Sequence, residues 1–380
     1  MKLITTLSAL IIGVSLSGCG GGGSGGGTTT VTPAGSTADL GRMLFFDTSL
    51  SEPAGQACAS CHDPAAGFAD PDTDSTRPVS EGAVAGRFGN RNAPTAAYAA
   101  LNPDFTYDAT AANRYHGGQF LDGRAANLEE QAKGPFLNPL EMANADKAAV
   151  IAKVRAAPYA ALFERIYGAG ALNDVDTAFD QVAQAIASFE RSSELSPFTS
   201  RFDYYLAGQA TLSAQELSGL ALFQGKALCT ECHLLATVGR PLFTDFSYRN
   251  IGVPKNPDNP VYATDPTFVD LGLGANPNLV STPSAEDGKF RVPTLRNVAV
   301  TAPYMHNGVL QTLEQVVNFY NTRDANRCGP GGTPLVDCWP DPEVDNANVN
   351  ISQVGDLLLT PQEEADIVAF LKTLTDGYTP

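Results

Sequence analysis

The sequence is poor in basic residues and has no long apolar segment beyond its start. It contains 24 lysines and arginines against 41 aspartates and glutamates, a formal net charge of −17 in 380 residues. A chain this acidic repels the phosphates of nucleic acids, which argues against a nucleic-acid partner. After residue 20, no apolar stretch reaches the roughly 20 residues that a membrane-spanning helix needs. Any attachment to a membrane therefore has to come from the N-terminus.

The N-terminus has the pattern of a bacterial lipoprotein signal. Lys2 precedes a short apolar run, and Leu-Ser-Gly-Cys follows it and ends at Cys19. This pattern predicts a signal peptide over residues 1–19 and a periplasmic protein whose only membrane contact is a lipid on Cys19, with the outer membrane as the expected site. An ordinary cleaved signal peptide is the alternative. The glycine-rich residues 20–38 have no side chains able to form a core, which indicates a flexible tether.

Four of the seven cysteines belong to two C-x-x-C-H motifs. Two thiols at this spacing add across the vinyl groups of haem, and the adjacent histidine then binds the iron. A zinc site is the alternative, but zinc would need four ligands from paired motifs, and export favours covalent haem attachment. The sequence therefore predicts two haem c groups, held by Cys58, Cys61, His62, Cys229, Cys232 and His233.

Two further cysteines, Cys328 and Cys338, enclose a turn-rich loop, Gly-Pro-Gly-Gly-Thr-Pro-Leu-Val-Asp. Disulfides are stable in the oxidising periplasm, and a bridge here would hold the loop in place. We therefore expect a Cys328–Cys338 disulfide.

Helical patterns dominate the rest of the chain. Apolar residues recur at helical spacing between 175 and 189, and capping signals begin helices at Ser213, Thr312 and Thr360. Both haem motifs also follow an amphipathic helical turn that contains a pair of large apolar residues, as in an internal repeat. We therefore predict an all-α fold of two cytochrome c-like haem domains with long loops.

The expected N-terminal domain covers residues 39–205 and the C-terminal domain covers residues 206–380. Over residues 40–375 the sequence resembles the bacterial di-haem cytochrome c peroxidases and the MauG group of that superfamily. Besides the haem motifs, the resemblance is carried by RNAPT at 91–95, GGQFLDGRAANLEEQAKGPFLNPLEM at 117–142, FRVPTLRNVAVTAPYMHNG at 290–308 and TLEQVVNFYN at 312–321. It implies a peroxidatic haem on the N-terminal domain and an electron-transfer haem on the C-terminal domain.

The loop after the first haem motif contains no histidine and no methionine between residues 63 and 115. Family members that need reductive activation carry a blocking histidine in this loop. The nearest candidate ligands, Met43, His116 and Met142, lie outside it, so we expect an open iron that peroxide can reach.

Cleavage of peroxide also requires a proton to move from one oxygen to the other. The resemblance implies that Glu129 carries this proton and that Gln119 positions the peroxide. Without the resemblance, Glu129 is more simply interpreted as a solvated charge on a helix.

The second axial ligand of the other haem is expected to be Tyr320. This residue comes fourteen positions after His306, where the family's peroxidases have methionine and the MauG group has tyrosine. A tyrosinate is a harder donor than a thioether and stabilises oxidised iron. Met305 and His306 are rival ligands by type, and a buried core tyrosine is the remaining alternative.

Two further expectations concern the region between the haems. The family usually places a tryptophan there, but the single tryptophan of this chain, Trp339, lies elsewhere, and the matching stretch contains Tyr107 and Tyr115. The family also binds one Ca²⁺ at the domain interface, and carbonyl and amide oxygens suit this hard cation. The matching positions are Asn92, with its side chain, and Thr301 and Pro303, with their backbone carbonyls.

Three functions fit these features. The leading hypothesis is a peroxidase that reduces hydrogen peroxide to water with electrons from a small periplasmic cytochrome c or cupredoxin. The alternative is a MauG-like enzyme that uses peroxide-oxidised haem to oxidise a protein substrate. The third is an electron carrier in which both irons are six-coordinate, against which the open loop argues.

Overall fold

The computed structural model describes residues 35–111, 114–236, 239–330 and 332–380. The lipoprotein signal with Cys19 and most of the expected tether lie outside the described residues. No helix in the described part of the chain is long and apolar enough to cross a membrane.

The described chain is rich in helices and has few strands. The helices are α1 (Thr37–Phe45), α2 (Cys58–Cys61), α3 (Leu128–Leu137), α4 (Lys147–Ala156), α5 (Ala160–Tyr167), α6 (Val175–Glu190), α7 (Arg201–Leu206), α8 (Ala214–Gln224), α9 (Val261–Thr264), α10 (Leu313–Thr322) and α11 (Pro361–Lys372). The strands are β1 (Thr106–Tyr107), β2 (Tyr115–His116), β3 (Tyr248–Arg249) and β4 (Phe290–Arg291). They form two antiparallel pairs, β1 with β2 and β3 with β4. Long loops connect these elements, as expected.

One hydrophobic core forms around helices α1 and α6 from residues between 40 and 195. Gly41 lets the two helices approach closely, because a Cβ at this position would lie 1.8 Å from the carbonyl oxygen of Ala185. Next to this contact, Phe45 packs edge to face on Phe189 with 5.2 Å between the ring centroids. The helix that precedes the first haem motif is thus held tightly against α6.

A second core, formed by residues between 202 and 374, uses the same device for α8 and α11. A Cβ on Gly219 would lie 1.9 Å from the carbonyl oxygen of Asp366. Phe223 packs edge to face on Phe370 at 5.3 Å. The repeated sequence context ahead of the two haem motifs therefore corresponds to repeated packing. The boundaries of the two domains stay a prediction.

The local signals in the sequence are confirmed where the structure describes them. Ser213 and Thr360 each form a capping box at the start of a helix. Thr312 caps α10 by accepting from the backbone N–H of Gln315. The expected disulfide between Cys328 and Cys338 is present.

Candidate functional site

The first haem motif lies on α2 and places His62 at its C-terminal end. The Nδ1–H of His62 donates to the carbonyl of Phe68 at 3.2 Å, since a carbonyl can only accept. This bond selects the tautomer whose Nε2 carries a free lone pair, the form in which histidine binds a metal. Burial lowers the pKa of His62, which keeps the imidazole neutral. The local structure therefore prepares His62 as an iron ligand.

The second haem motif is built in the same way around His233. Its Nδ1–H donates to the carbonyl of Phe243 at 2.8 Å, and burial lowers its pKa. Phe68 and Phe243 both adopt a left-handed backbone conformation, with φ of 61° and 55°. The two histidines therefore have the same kind of support.

A threonine that follows a proline bonds to the backbone next to each of these two phenylalanines. The hydroxyl of Thr95 donates to the carbonyl of Gly67 at 2.6 Å, next to Phe68. The hydroxyl of Thr294 donates to the carbonyl of Leu242 at 2.7 Å, next to Phe243. These threonines belong to RNAPT and FRVPT, which explains why both motifs accompany the haem sites.

The second haem motif opens into a cavity, here called the His233 cavity, which is lined among others by Cys229, Cys232, His233 and Tyr320. Tyr320 is on α10, and no described residue hydrogen-bonds to its hydroxyl. Burial, and next the nearby thiols of the haem motif, raise the pKa of Tyr320. Because protein groups alone favour the neutral phenol, Tyr320 would bind as a tyrosinate only beside the positive charge of ferric iron.

The rival ligand His306 also lines the His233 cavity, and its buried Nε2 has no hydrogen-bond partner among the described residues. It stacks on Phe290 with 3.8 Å between the ring centroids and an interplanar angle of 11°. Its Nε2 lies 3.6 Å from the carboxylate of Glu343. His306 therefore stays a rival of Tyr320 for the iron.

Two arginines that line the His233 cavity each have a buried Nε without a hydrogen-bond partner, as expected of side chains that bind haem propionates. The Nε atoms of Arg249 and Arg291 have no hydrogen-bond partner among the described residues. Arg291 forms no ion pair with a described carboxylate and donates only to the side chain of Asn102 and the carbonyl of Phe120. Burial without a counter-charge lowers its pKa. Haem propionates are carboxylates of the kind that such guanidinium groups bind.

The expected catalytic residues, Glu129 and Gln119, both form hydrogen bonds with other protein groups. Both oxygens of Glu129 accept from Arg191, at 2.6 and 3.0 Å, and this pairing lowers the pKa of Glu129. Gln119 is buried, and its amide accepts from Asn102 at 3.1 Å and donates to the carbonyl of Ala99 at 3.0 Å. Both side chains are thus occupied by protein partners.

Glu141 is a carboxylate near the first haem motif that sequence reasoning did not single out. Burial raises its pKa, and its charge contributes to the raised thiol pKa values of Cys58 and Cys61. Its backbone carbonyl accepts from the N–H of Ala83, at 2.8 Å, in the loop that follows His62. Its position at the end of the 117–142 motif was the available signal.

A second unpredicted carboxyl, Glu190, lies at the end of α6 and is 5% exposed. Its Oε2 has no hydrogen-bond partner among the described residues. Burial raises its pKa to about 8, opposed by Arg191 and reinforced by Glu129. Cys58 is close enough for the charge of Glu190 to raise its thiol pKa as well. Glu190 thus adds a buried carboxyl with a raised pKa near the first haem motif.

Known proteins resemble this chain along most of its length. A family model described as di-haem cytochrome c peroxidase matches residues 35–211. The methylamine utilization protein MauG of Paracoccus denitrificans is 42% identical over 89% of this chain and 88% of its own. The cytochrome c551 peroxidase of Nitrosomonas europaea is 33% identical over 78% and 76%. The diheme peroxidase BthA of Burkholderia thailandensis has a TM-score of 0.78 and 36% identity, over 90% of this chain and 86% of its own.

The chain belongs to the di-haem cytochrome c peroxidase and MauG family. It is therefore an oxidoreductase with two c-type haems, which confirms the resemblance and the enzyme class expected from the sequence. Peroxidases and MauG proteins both occur among its relatives, and neither is favoured by similarity alone.

The residues expected to bind calcium in this di-haem enzyme belong to the wall of one cavity. Asn92, Thr301 and Pro303 all line the His233 cavity. The side chain of Asn92 donates through Nδ2 to the carbonyl of Pro78 at 3.1 Å, which leaves its Oδ1 as an acceptor. An amide oxygen and two carbonyls form a donor set suited to Ca²⁺. The described residues contain no cluster of three or more carboxylate, histidine or cysteine ligands.

Neither tyrosine expected near the haems of this enzyme is among the residues that line the His233 cavity. Tyr115 is buried with its hydroxyl bonded to Ser281 at 3.0 Å, and Tyr107 is 39% exposed. The aliphatic Leu121 lines the cavity instead. Coupling through an aromatic ring therefore has no support at these two tyrosines.

Proposed function

We propose that this di-haem enzyme reduces hydrogen peroxide at the haem of His62 and exchanges electrons through the haem of His233, with Tyr320 as the second axial ligand there. The observation that carries the proposal is that Tyr320 shares the His233 cavity with Cys229 and Cys232. The haems, when bound, supply the iron that cleaves peroxide and stores oxidising equivalents.

The proposal includes an all-α architecture of two cytochrome c-like domains, residues 39–205 and 206–380. Support comes from the two separate hydrophobic cores and from the matching helix pairs. The identical support of His62 and His233 by a phenylalanine carbonyl adds to it. Each domain would then hold one haem.

On the peroxide side, the chain leaves the iron of the first haem open. The loop over residues 63–115 offers no histidine or methionine. Of the candidates outside it, Met43 is 48% exposed, His116 is held in the β1–β2 pair, and Met142 is packed in the first hydrophobic core. Peroxide can therefore reach this haem without prior reduction of the enzyme.

We assign the movement of the proton to Glu141. Burial raises the pKa of Glu141, so this carboxyl keeps its proton to a higher pH than an ordinary glutamate, as a general acid must. Glu129 and Gln119 stay the candidates from family resemblance. Glu129 is the weaker of the two carboxyls because Arg191 keeps it ionised.

A second candidate function is oxidation of a protein substrate, as proposed from the MauG resemblance. Tyr320 is the observation that favours it, because an anionic ligand stabilises the oxidised states of iron that such a reaction stores. In the leading function, the electrons come instead from a small periplasmic redox protein.

The proposed cellular setting is the periplasm, with the protein anchored to a membrane through a lipid on Cys19. One Ca²⁺ bound by Asn92, Thr301 and Pro303 completes the proposed enzyme. Metal analysis of the purified protein, before and after treatment with a chelator, tests the calcium site. The expected result is one Ca²⁺ per chain, reduced in Asn92→Ala.

An EPR spectrum of the ferric enzyme, combined with stopped-flow mixing with peroxide, tests the main proposal. We expect one high-spin and one low-spin haem, and an immediate optical change with peroxide in the absence of any reductant. Two low-spin haems and no reaction until one is reduced would indicate a hidden ligand on the first haem. Two low-spin haems that never react would indicate an electron carrier.

A further inference from the structure

Trp339 is the only tryptophan of the chain and packs against α10, the helix that carries Tyr320. Its indole meets the ring of Phe319 edge to face, with 5.3 Å between the centroids and an interplanar angle of 89°. The ring of Phe319 lies 6.1 Å from that of Tyr320. Three packed rings thus connect the His233 cavity to the segment after the disulfide.

Covalent and hydrogen bonds hold Trp339 in place. The preceding residue, Cys338, is bonded to Cys328. The backbone N–H of Trp339 donates to the carbonyl of Asn326 at 2.9 Å, and its carbonyl accepts from the N–H of Cys328 at 3.0 Å. Its Nε1–H donates to the hydroxyl of Thr322 at 2.9 Å. A disulfide and three hydrogen bonds therefore hold Trp339 in this position.

The disulfide loop also reaches solvent. Val336, in the middle of the loop, is 78% exposed, whereas Trp339 is 5% exposed and Phe319 is completely buried. The aromatic line therefore runs from the cavity wall to a point directly below the surface. Indole is among the most easily oxidised side chains, and phenylalanine is not oxidised under the same conditions. Of the two rings beyond Tyr320, only Trp339 can hold an electron vacancy.

We propose that Trp339 is an electron-transfer residue, which passes electrons from an external donor to the haem of His233; this rests on the proposed function. Reduction of one hydrogen peroxide to two waters consumes two electrons and two protons. Each electron leaves the indole of Trp339, crosses the contact of Phe319 with Tyr320 and reaches the haem site. The donor then reduces the indole again, so peroxide is the oxidant and the donor is the reductant.

The proton of the oxidised indole stays on Nε1. The hydroxyl of Thr322, its hydrogen-bond acceptor, itself donates to the carbonyl of Asn318 at 2.8 Å. A hydroxyl is too weak a base to accept the indole proton, and no carboxylate bonds directly to it among the described residues. Oxidation therefore produces an indole cation radical, which has an EPR spectrum distinct from that of the neutral radical.

The test uses the holoenzyme mixed with hydrogen peroxide in the absence of a donor. We expect an EPR signal of a tryptophan cation radical and, by mass spectrometry, covalent oxidation of Trp339. Trp339→Phe keeps an aromatic ring in the contact and should abolish both signals. It should also lengthen the lifetime of the peroxide-oxidised optical state several-fold, because the indole that supplies electrons through Phe319 is gone. Phe319→Leu keeps Trp339 but interrupts the line of rings, so it should reduce the oxidation of Trp339.

Tyr107→Phe is the matched control, because Tyr107 is half-exposed and does not line the His233 cavity. It should leave the radical and the lifetime unchanged. An enzyme that reacts with peroxide while Trp339 stays unmodified, and whose Trp339→Phe variant decays at the wild-type rate, overturns the role of Trp339 alone. A wild-type enzyme that does not react with peroxide overturns the proposed function, and this role with it.

Discussion

Arg191 holds Glu129 through two hydrogen bonds, from Nη1 to Oε1 at 2.6 Å and from Nη2 to Oε2 at 3.0 Å. The pair lowers the pKa of Glu129, so its carboxyl is ionised near neutral pH and both oxygens are occupied. Glu141 has the opposite environment, because burial raises its pKa. Two of the carboxyls of the 117–142 motif thus have pKa values shifted in opposite directions, which is the basis for proposing Glu141 as the proton carrier.

The first prediction compares these two carboxyls. Glu141→Gln should keep both haems and their resting spectra but slow the reaction with peroxide by about a hundredfold or more, the scale for loss of a general acid–base group. Stopped-flow spectroscopy measures this rate. Glu129→Gln is the matched control and should alter the rate little, while it costs about 0.2–1 kcal/mol of stability, since the ion pair is partly exposed. If the control slows the reaction and Glu141→Gln does not, the assignment from family resemblance is right.

The second prediction concerns the contribution of Glu190 to the pH dependence of stability. Its pKa is raised from 4.5 to about 8, so between these values the folded state binds more protons than the unfolded state. The free energy of unfolding contributed by this group therefore falls as the pH rises through that window. Glu190→Gln removes the titration. Its melting temperature, relative to the wild type, should rise between pH 5 and pH 8.

Thermal unfolding of the two proteins at these two pH values provides the measurement. A constant difference in melting temperature would mean that Glu190 titrates at its ordinary value in the folded enzyme. In that case, Oε2 of Glu190, which has no hydrogen-bond partner among the described residues, gains one in the haem-bound protein.

Local sequence signals predicted the parts of this molecule that local chemistry determines. The haem motifs, the capping residues Ser213 and Thr360 and the Cys328–Cys338 bridge each depend on residues close in sequence. The environments of Glu129 and Glu141, by contrast, depend on residues that are distant in sequence. Arg191 is far from Glu129 along the chain, and only the packing of α3 on α6 brings them together.

The same limit applies to the cavity. Tyr320 was found through the spacing that the family resemblance supplied, whereas Arg291 has no local signal that marks it as unpaired. Its lack of a carboxylate partner is a property of the folded chain. Trp339 was visible as the only tryptophan, but its contact with Phe319 required the fold.

The third prediction tests the close approach of α8 and α11. Gly219→Ala places a Cβ 1.9 Å from the carbonyl oxygen of Asp366, so the helices must separate. Overpacking of this kind should reduce the free energy of unfolding by about 1–3 kcal/mol. Gly134→Ala, a change within α3, is the control, because its Cβ would lie at an ordinary 3.4 Å from the ring of Phe120. That change should stabilise the enzyme by about 0.5–1 kcal/mol. Denaturant unfolding of both variants distinguishes a tight helix contact from a general intolerance of larger side chains.

The last prediction is that replacement of Tyr320 changes the second haem and separates the two enzyme hypotheses. Tyr320→Met exchanges an anionic oxygen for a thioether, so the reduction potential of the haem of His233 should rise, because the anion that stabilised ferric iron is gone. Spectroelectrochemistry measures this shift, and EPR reports the new ligand. Tyr304→Phe is the control, since Tyr304 lines the same cavity but its hydroxyl is bonded to the carbonyl of Val298 at 2.9 Å.

A peroxidase needs the second haem only to pass electrons, so the activity of Tyr320→Met with an artificial donor should largely survive. A MauG-like enzyme needs this haem to hold an oxidising equivalent, so the long-lived doubly oxidised state formed with peroxide alone should disappear. Loss of that state together with retained peroxidase activity would show that the enzyme can store oxidising equivalents and that Tyr320 makes this storage possible. Optical and EPR spectra identical to those of the wild type would show that Tyr320 does not bind iron, and the MauG-like function would then lose its structural support.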